Sequence, residues 1–284
     1  MQLDGRRKSS NVEDRRRSSG AMVGGGLGLG GIIIVGLIML LTGQDPSQIL
    51  SYIDDGSVQG TEYVETEQDK ELFDFASTIL AGTEDVWTEI FKNNGLTYVP
   101  PKLVIFNGSV QSGCGGATSQ SGPFYCSADQ SVYLDLSFFK SMKQQLGADG
   151  DFAWAYVIAH EVGHHVQYLL GTLGEVNNKR QRVSEKEANQ LTVRLELQAD
   201  FYAGIWAYHD NKKYRSMEDG DIEEGLNCAS KIGDDYLQKK AYGRTVPDSF
   251  THGTSAQRSR WLKKGLTTGN PALGDTFSPK YSDL

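Results

Sequence analysis

The clearest hydrophobic pattern in the chain lies in residues 151–171, where apolar side chains recur every three or four positions. This spacing predicts a helix with one buried face. Asp151 is a suitable residue for the start of that helix, and Gly171 for its end. The apolar positions are Phe152, Ala155, Ile158, Ala159, Val162, Val166 and Leu169.

Similar spacing predicts helices over residues 69–93, 183–209 and 219–241. Lys102–Phe106 is a short apolar run after two prolines, and residues 131–136 alternate between apolar and polar side chains, so both are predicted strands. The chain from residue 269 is predicted to be loop. Together these elements predict an α+β fold that is mostly helical with a small sheet.

Residues 21–43 carry no charge and end in a strongly apolar run. Their length matches the roughly 20 residues that a helix needs to cross a bilayer, so they predict one transmembrane anchor. Basic residues before the run and Asp45 after it place the N-terminus in the cytoplasm. A cleaved signal peptide is the alternative. No small-residue cleavage site follows Leu41, and the run is long for a signal peptide, so the anchor is favoured.

Composition divides the rest of the chain into a basic start and an acidic body. Residues 1–20 contain six basic and three acidic side chains and predict a disordered cytoplasmic tail. The whole chain has a formal net charge of −8, so the remainder carries −11. An acidic body argues against binding to nucleic acid or close adsorption to anionic lipid. Residues 44–67 are predicted to be a linker, and residues 68–284 a single domain.

The predicted helix at residues 151–171 contains the pattern His-Glu-x-x-His, formed by His160, Glu161 and His164. Two histidines four residues apart lie about 40° apart around a helix, so both can reach one metal ion. Zn²⁺ lowers the pKa of a bound water, and a nearby carboxylate can take the proton. The pattern therefore predicts His160 and His164 as Zn²⁺ ligands and Glu161 as the general base. His165 is predicted to lie behind the site or on the surface.

A catalytic zinc site needs a third protein ligand and one open position. Glu196 and Asp200 are four residues apart in the predicted helix 183–209, so they share one face. We assign Glu196 as the third ligand and Asp200 as the acceptor for the N–H of a ligand histidine. The alternative, a solvated acidic face, is disfavoured because apolar residues surround the two acids. These neighbours are Leu195, Leu197, Ala199 and Phe201.

Three stretches resemble a known family, the neutral zinc metallopeptidases of bacteria (YpfJ-like). They are GRRKSSNVEDRR near the start, HEVGHHVQ around the two histidines, and VRLELQADFYAGIWA around the two acids. The Glu-x-x-x-Asp spacing is also similar to that of HtpX-like and CAAX-processing membrane peptidases, in which that Glu is the third zinc ligand. The resemblance implies a zincin-like domain with peptidase activity on peptides or proteins.

Thr251-His252, with Arg258 six residues after the histidine, also resembles both groups. The resemblance implies that His252 could steady the oxyanion formed during hydrolysis. A capping or packing histidine at a helix start is an equally good alternative. In zinc peptidases an edge strand often lines the cleft and pairs with the substrate. Residues 132–136 are the candidate for that strand, and a purely structural strand is an equal alternative.

Cys114 and Cys126 bracket a Gly-rich loop in a stretch that also resembles the family. Outside the cytoplasm, such a pair predicts a disulfide. Cys228 is the odd cysteine and is predicted to be a buried apolar residue.

The sequence thus predicts a zinc-dependent peptidase anchored once in the bacterial plasma membrane, with its catalytic domain on the extracytoplasmic, or periplasmic, side. The alternative is a catalytically inactive, membrane-tethered scaffold or regulatory protein that binds zinc. A structural zinc site would want a fourth protein ligand, and none is evident. The presence of Glu161 also favours the enzyme.

Overall fold

The computed structural model describes residues 1–17 and 63–284. Within these ranges, eight α-helices carry most of the fold, and the second is followed by a π-helical turn at Met142–Leu146. The helices are α1 Glu67–Asn93, α2 Ser137–Ser141, α3 Asp151–Leu169, α4 Thr172–Arg180, α5 Glu185–Tyr214, α6 Asp221–Lys231, α7 Asp234–Tyr242 and α8 Ser255–Thr268.

The described strands form a four-stranded sheet and a separate hairpin. The sheet order is β1-β2-β6-β5, with β1 and β6 parallel to β2 and β5 antiparallel to β6. The hairpin consists of β3 and β4. The strands are β1 Val12–Asp14, β2 Lys102–Phe106, β3 Ser109–Ser112, β4 Gly115–Thr118, β5 Phe124–Cys126 and β6 Ser131–Asp135. The architecture is therefore α+β and mostly helical, as predicted.

Helix α3 lies at the centre of the domain, with α1, α5 and α6 packed around it and the sheet beside it. Its apolar face is fully buried, for example at Phe152 and Val162. Trp87 of α1 meets Tyr202 of α5 edge to face, with ring centroids 5.4 Å apart. The two long helices α1 and α5 begin at capping boxes, Thr66 with Asp69 and Ser184 with Glu187.

Gly163 lets α3 and α5 approach each other closely. A Cβ atom added to Gly163 would lie 3.0 Å from the carbonyl oxygen of Ala199 and 3.1 Å from its Cα. A residue with a side chain would therefore push the helices apart. Because Ala199 lies beside Asp200 and three residues after Glu196, this close crossing brings both acids up to the histidines of α3.

Residues 1–17 are part of this folded domain, so the predicted disordered tail is wrong for them. Strand β1 pairs with β2, with Val12 opposite Leu103 and Asp14 opposite Ile105. The physical reason is that acids from distant parts of the chain neutralise the basic side chains, which composition alone does not reveal. Arg6 donates two hydrogen bonds, of 2.8 and 2.6 Å, to the fully buried carboxylate of Asp210. Further pairs join Arg7 to Glu84 and Asp85, Lys8 to Asp74, and Arg16 to Asp14 and Glu65.

This pairing also bears on the predicted topology. Because β1 and β2 are hydrogen-bonded neighbours, residues 1–17 and the domain must lie on the same side of any membrane. A cytoplasmic N-terminus with an extracytoplasmic domain is not compatible with that arrangement. The predicted anchor at residues 21–43, and the linker up to residue 62, lie outside the described residues. Among the described residues, no helix has both the length and the apolar character that a membrane crossing requires.

Other predicted elements differ from the structure in their bounds or in their neighbours. The predicted helix at 219–241 is two helices, α6 and α7, which separate at Gly233. A Cβ there would lie 2.2 Å from the backbone N of Ser255, so the chain packs directly against the start of α8. The predicted helix at 183–209 extends to Tyr214, and α4 and the β3–β4 hairpin were not predicted. The strand predicted at residues 132–136 is present as β6, but its predicted edge position is wrong, because β6 lies between β2 and β5.

Candidate metal centre

Three predicted ligands converge where α3 crosses α5. One side-chain donor atom from each of His160, His164 and Glu196 lies within 4.8 Å of the other two. Nε2 of His160 is 3.1 Å from one oxygen of the Glu196 carboxylate, and Nε2 of His164 is 3.4 Å from the other. His160 and Glu196 are buried, and His164 is partly exposed. In the described part of the chain, no fourth His, Cys, Asp or Glu joins this group.

Asp200 lies behind His160, as the helix spacing predicted. Its Oδ1 accepts a 2.8 Å hydrogen bond from Nδ1 of His160 and a 2.5 Å bond from the Tyr156 hydroxyl. Arg258 donates to both oxygens of the same carboxylate, each at 2.9 Å. Asp200 and Arg258 are almost completely buried. The buried ion pair therefore fixes the carboxylate, and the carboxylate fixes the ring of His160.

The charges at the site shift several pKa values. Burial opposes protonation of His160, but the carboxylates of Asp200 and Glu196 outweigh it and raise the His160 pKa to about 10. Burial would raise the pKa of Asp200, but the charges of Arg258 and His160 lower it to about 2. The pKa of Glu196 is likewise held well below its usual range, because His164 and His160 outweigh burial. The centre therefore attracts positive charge strongly.

Glu161 is buried beside the two histidines and makes no side-chain hydrogen bond with any described residue. Burial raises the pKa of its carboxyl group, and the positive charges of His160 and His164 partly oppose this shift. A raised pKa and an unengaged carboxylate suit a group that takes up a proton and passes it on.

His252 lies on the loop before α8 and is buried. Its Nδ1 is 3.1 Å from Oδ1 of Asp234, and the other oxygen of Asp234 accepts backbone N–H bonds from Thr251, His252 and Gly253. A Cβ atom added to the neighbouring Gly253 would lie 3.1 Å from Val193 and 3.4 Å from Leu197, so this loop packs against the part of α5 that carries Glu196. The start of α8 is capped by Thr254, whose hydroxyl accepts a hydrogen bond from the backbone N–H of Gln257. His252 therefore has no capping role, and its Nε2 makes no hydrogen bond with a described residue.

His165 is completely buried, which excludes the surface position, one of the two alternatives that the sequence left open. Its Nδ1 is 2.9 Å from the Tyr125 hydroxyl, and its Nε2 donates to the carbonyl oxygen of Val99 at 2.7 Å. Tyr125 belongs to β5, the edge strand of the sheet. His165 therefore fixes helix α3 beneath that edge.

Cys114 and Cys126 form a disulfide with an S–S distance of 2.06 Å. Cys126 ends β5, and Cys114 lies in the turn between β3 and β4, so the bond ties the hairpin to the edge of the sheet. Cys228 is a free, buried thiol, and burial raises its pKa to about 12.

The donor set fits Zn²⁺. Two imidazole nitrogens and one carboxylate are the ligands of many catalytic zinc sites, which keep a further position open for water or substrate. Both Nδ1 atoms are engaged elsewhere, on Asp200 and Gln167, so both Nε2 atoms face the centre. The structure brings together the four residues that the sequence predicted, His160, His164, Glu196 and Asp200, and their role in binding a metal stays a prediction.

Three contributors were missed. Asp234, Tyr156 and Gln167 each contact a residue of the site. A signal existed for Tyr156 and Gln167, because they lie four residues before His160 and three after His164 on the same helix. No local signal links Asp234 to His252.

Comparison with known proteins places the chain in a family. A family model described as "Putative neutral zinc metallopeptidase" matches residues 1–277. The uncharacterized protein YpfJ of Escherichia coli (strain K12) is 50% identical over 294 residues, covering 98% of this chain and 99% of the relative. The uncharacterized protein Rv2575 of Mycobacterium tuberculosis (strain ATCC 25618 / H37Rv) is 44% identical over 191 residues, covering 64% of each chain. No solved structure matches. The resemblance noted in the sequence is confirmed, and the chain belongs to the putative neutral zinc metallopeptidase family.

Proposed function

We propose that the protein is a zincin-like metallopeptidase that hydrolyses peptide bonds in proteins or peptides. The observation that carries this proposal is the convergence of His160, His164 and Glu196 around one point, with the free carboxylate of Glu161 beside it. Zn²⁺ held there by these three residues would act as a Lewis acid on the scissile carbonyl and lower the pKa of a water molecule.

The side chains of the protein would then move the protons. Glu161 takes a proton from the attacking water and delivers it to the nitrogen of the departing amine. A protonated His252, whose Nδ1–H faces the Asp234 carboxylate, would donate a hydrogen bond from Nε2 to the carbonyl oxygen as negative charge develops on it. Asp200 keeps His160 oriented throughout, because the ion pair with Arg258 fixes the carboxylate itself.

The substrate would bind along β5 rather than β6. Strand β5 is the outer strand of the sheet next to α3, and β6 occupies only one of its two sides. No strand of the described residues pairs with the other side of β5, so an extended peptide can add there by main-chain hydrogen bonds. The hydrogen bond between Tyr125 of β5 and His165 of α3 fixes the position of β5 relative to the helix that carries His160 and His164.

We propose an extracytoplasmic location for the domain, supported by the disulfide between Cys114 and Cys126. The β1–β2 pairing changes the earlier expectation in one respect, because residues 1–17 share the compartment of the domain. With residues 1–17 and the domain on one side, residues 21–43 cannot cross a membrane just once. What stays a prediction is membrane attachment through their apolar run without a single full crossing.

The test combines metal analysis with cleavage. The purified full-length chain should contain one Zn²⁺ per molecule and cleave members of a peptide library or an unfolded protein such as casein. A chelator should abolish cleavage, and added Zn²⁺ should restore it. Zinc binding without cleavage of any peptide would favour the inactive scaffold or regulatory protein. Absence of zinc binding would refute the metal centre itself.

A further inference from the structure

Gln167 occupies the position behind His164 that Asp200 occupies behind His160. It lies in the last turn of α3, three residues after His164, and is completely buried. Its Oε1 is 2.9 Å from Nδ1 of His164. The two histidines of the centre are therefore supported differently, one by a carboxylate and the other by a neutral amide.

The hydrogen bonds of Gln167 fix which way its amide points. Its NH₂ group donates to the carbonyl oxygen of Leu195 at 2.7 Å and to Oε1 of Gln198 at 3.1 Å. Gln198 is fixed in turn, because its own NH₂ group donates to the carbonyl oxygen of Gly274 at 2.9 Å. Both ends of this chain of amides are backbone carbonyl oxygens, which cannot donate. A flipped Gln167 amide would place its oxygen against two acceptors.

The orientation of the amide decides the tautomer of His164. Because Gln167 presents its oxygen, Nδ1 of His164 carries a hydrogen, and in the neutral ring Nε2 keeps its lone pair. Nε2 is the atom that faces the centre, 3.4 Å from the Glu196 carboxylate. Gln167 also bonds to the carbonyl of Leu195, the residue next to Glu196. One side chain thus links two of the three ligand positions.

We propose that Gln167 is a positioning residue of the metal centre, and that it holds His164 as the Nδ1–H tautomer with Nε2 directed at the metal. Gln198 supports it by occupying one of its two amide hydrogens. This inference rests on the proposed role of His164 as a metal ligand. It adds that the C-terminal segment, through Gly274, is connected to the centre by two glutamines.

The test replaces Gln167 by Met, which has a similar shape and no amide. The zinc dissociation constant of Gln167→Met, measured by competition with a chromophoric chelator, should rise about 10–100-fold, as for other residues that orient a ligand histidine. The imidazole ¹⁵N chemical shifts of His164 in the metal-free protein, recorded at a pH high enough for this ring to be neutral, should change from a single Nδ1–H tautomer to a mixture. Gln198→Met should shift both quantities in the same direction by a smaller amount.

Gln238→Met is the matched control. Gln238 is also buried and also uses both ends of its amide, on Ser249 and on the backbone N–H of Val246. The Gln238→Met variant should have a lower melting temperature, with the zinc affinity and the His164 tautomer unchanged. The proposal is overturned if Gln167→Met binds zinc as the wild type does, or if Gln238→Met weakens zinc binding equally. If Gln167→Met does not fold, Gln198→Met decides the question by the same two measurements.

Failure of the proposed function gives a different result. If the wild-type protein bound no zinc, the ligand assignment would fall. The tautomer of His164 in the metal-free wild type and in Gln198→Met would still show whether Gln167 fixes the ring. A wild-type mixture of tautomers would refute the positioning role, whatever the zinc affinity.

Discussion

Oδ1 of Asp200 lies 2.8 Å from Nδ1 of His160, while the other ring nitrogen of His160 lies 3.1 Å from Glu196. The imidazole is thus held between two carboxylates that have different tasks. Glu196 also lies close to Nε2 of His164, whereas Asp200 forms a buried ion pair with Arg258. Replacing each acid should therefore have distinguishable consequences.

Glu196→Ala should abolish zinc binding, because it removes a ligand. Asp200→Ala should weaken zinc binding about 10–100-fold, because it removes only the support of His160. Asp200→Ala should also destabilise the protein by about 3–5 kcal/mol, since Arg258 stays buried without its partner. Adding Arg258→Met should restore much of this stability and leave zinc binding weak. Chelator competition and denaturant unfolding separate the two effects. Loss of all metal in Asp200→Ala, with metal retained in Glu196→Ala, would reverse our assignment.

Glu161→Gln should separate catalysis from metal binding. The substitution keeps the shape of the side chain and removes its basic oxygen, so zinc content and melting temperature should stay near the wild-type values. Peptide hydrolysis should fall roughly 10²–10⁴-fold, the usual contribution of a general base. Rates on one peptide substrate, normalised to bound zinc, give the comparison. A variant that lost zinc would show instead that Glu161 is structural.

Zinc binding should release protons near neutral pH. The pKa of His160 is raised to about 10, so this ring carries a proton at pH 7 until a metal displaces it. Apparent zinc affinity should therefore rise with pH up to about 10. Calorimetry in buffers of different ionisation enthalpy measures the released protons directly. Binding at pH 7 without proton release would contradict the charge arrangement of the centre.

The same shifts predict how the stability of the metal-free protein depends on pH. The pKa of His160 is higher in the folded protein than its unfolded value of about 6.5. Its contribution to the free energy of unfolding is therefore complete below pH 6.5 and is lost as the pH rises toward 10. Asp200 has a folded pKa of about 2, below its unfolded value near 3.9. Its contribution is therefore present above pH 4 and is lost as pH falls toward 2.

Gly163→Ala should destabilise the protein and weaken zinc binding together. The added methyl group meets the backbone of Ala199 at 3.0–3.1 Å, so α3 and α5 must move apart at the site. A cost of about 1–3 kcal/mol is expected for such overpacking. Gly174→Ala in α4 is the control, because no atom lies within 4 Å of the added Cβ. It should stabilise the protein by up to about 1 kcal/mol. Equal unfolding free energies for the two variants would contradict the close crossing.

Reporters placed at the two ends of the chain should report the same side of a membrane. Strand β1 and the domain pair directly, and Arg6 is bonded to Asp210, so residues 1–17 and 63–284 cannot be separated without losing these contacts. Compartment-specific enzyme fusions before Met1 and after Leu284 provide the measurement. Opposite signals from an otherwise folded protein would refute the pairing. Arg6→Gln should lower the melting temperature, because it leaves the Asp210 carboxylate buried without a cation.

The sequence was informative where one helix carries the chemistry. The spacing of His160 and His164, and of Glu196 and Asp200, places each pair on one helix face before any tertiary structure is known. The two helix faces meet because α3 and α5 cross closely at Gly163. The spacing of apolar residues does not predict this crossing. The resemblance to the family supplied the link between them.

The errors all concern partners that are distant in sequence. The alternation of apolar and polar residues correctly predicted β6 as a strand. Whether that strand is central or at an edge depends on its pairing with β2 and β5, which the alternation does not show. The basic residues at the start looked like a solvated tail, because the acids that neutralise them lie as far away as residue 210. The same holds for Asp234, which meets His252 across 18 residues that span a helix.

The contact between Arg6 and Asp210 also sets an order of events during synthesis. The two residues are 204 positions apart, so Arg6 leaves the ribosome long before Asp210, one of its main partners. At 5–20 residues per second, that delay is roughly 10–40 s. During this time the N-terminal segment has no completed binding site, because β2 and the acids on α1 and α5 emerge only later. Helices α3 and α5 can meet within a much shorter stretch of chain. Because Glu196, the last member of the ligand cluster, emerges before Asp210, the cluster can assemble before the contact between Arg6 and Asp210 completes the docking of the N-terminal segment.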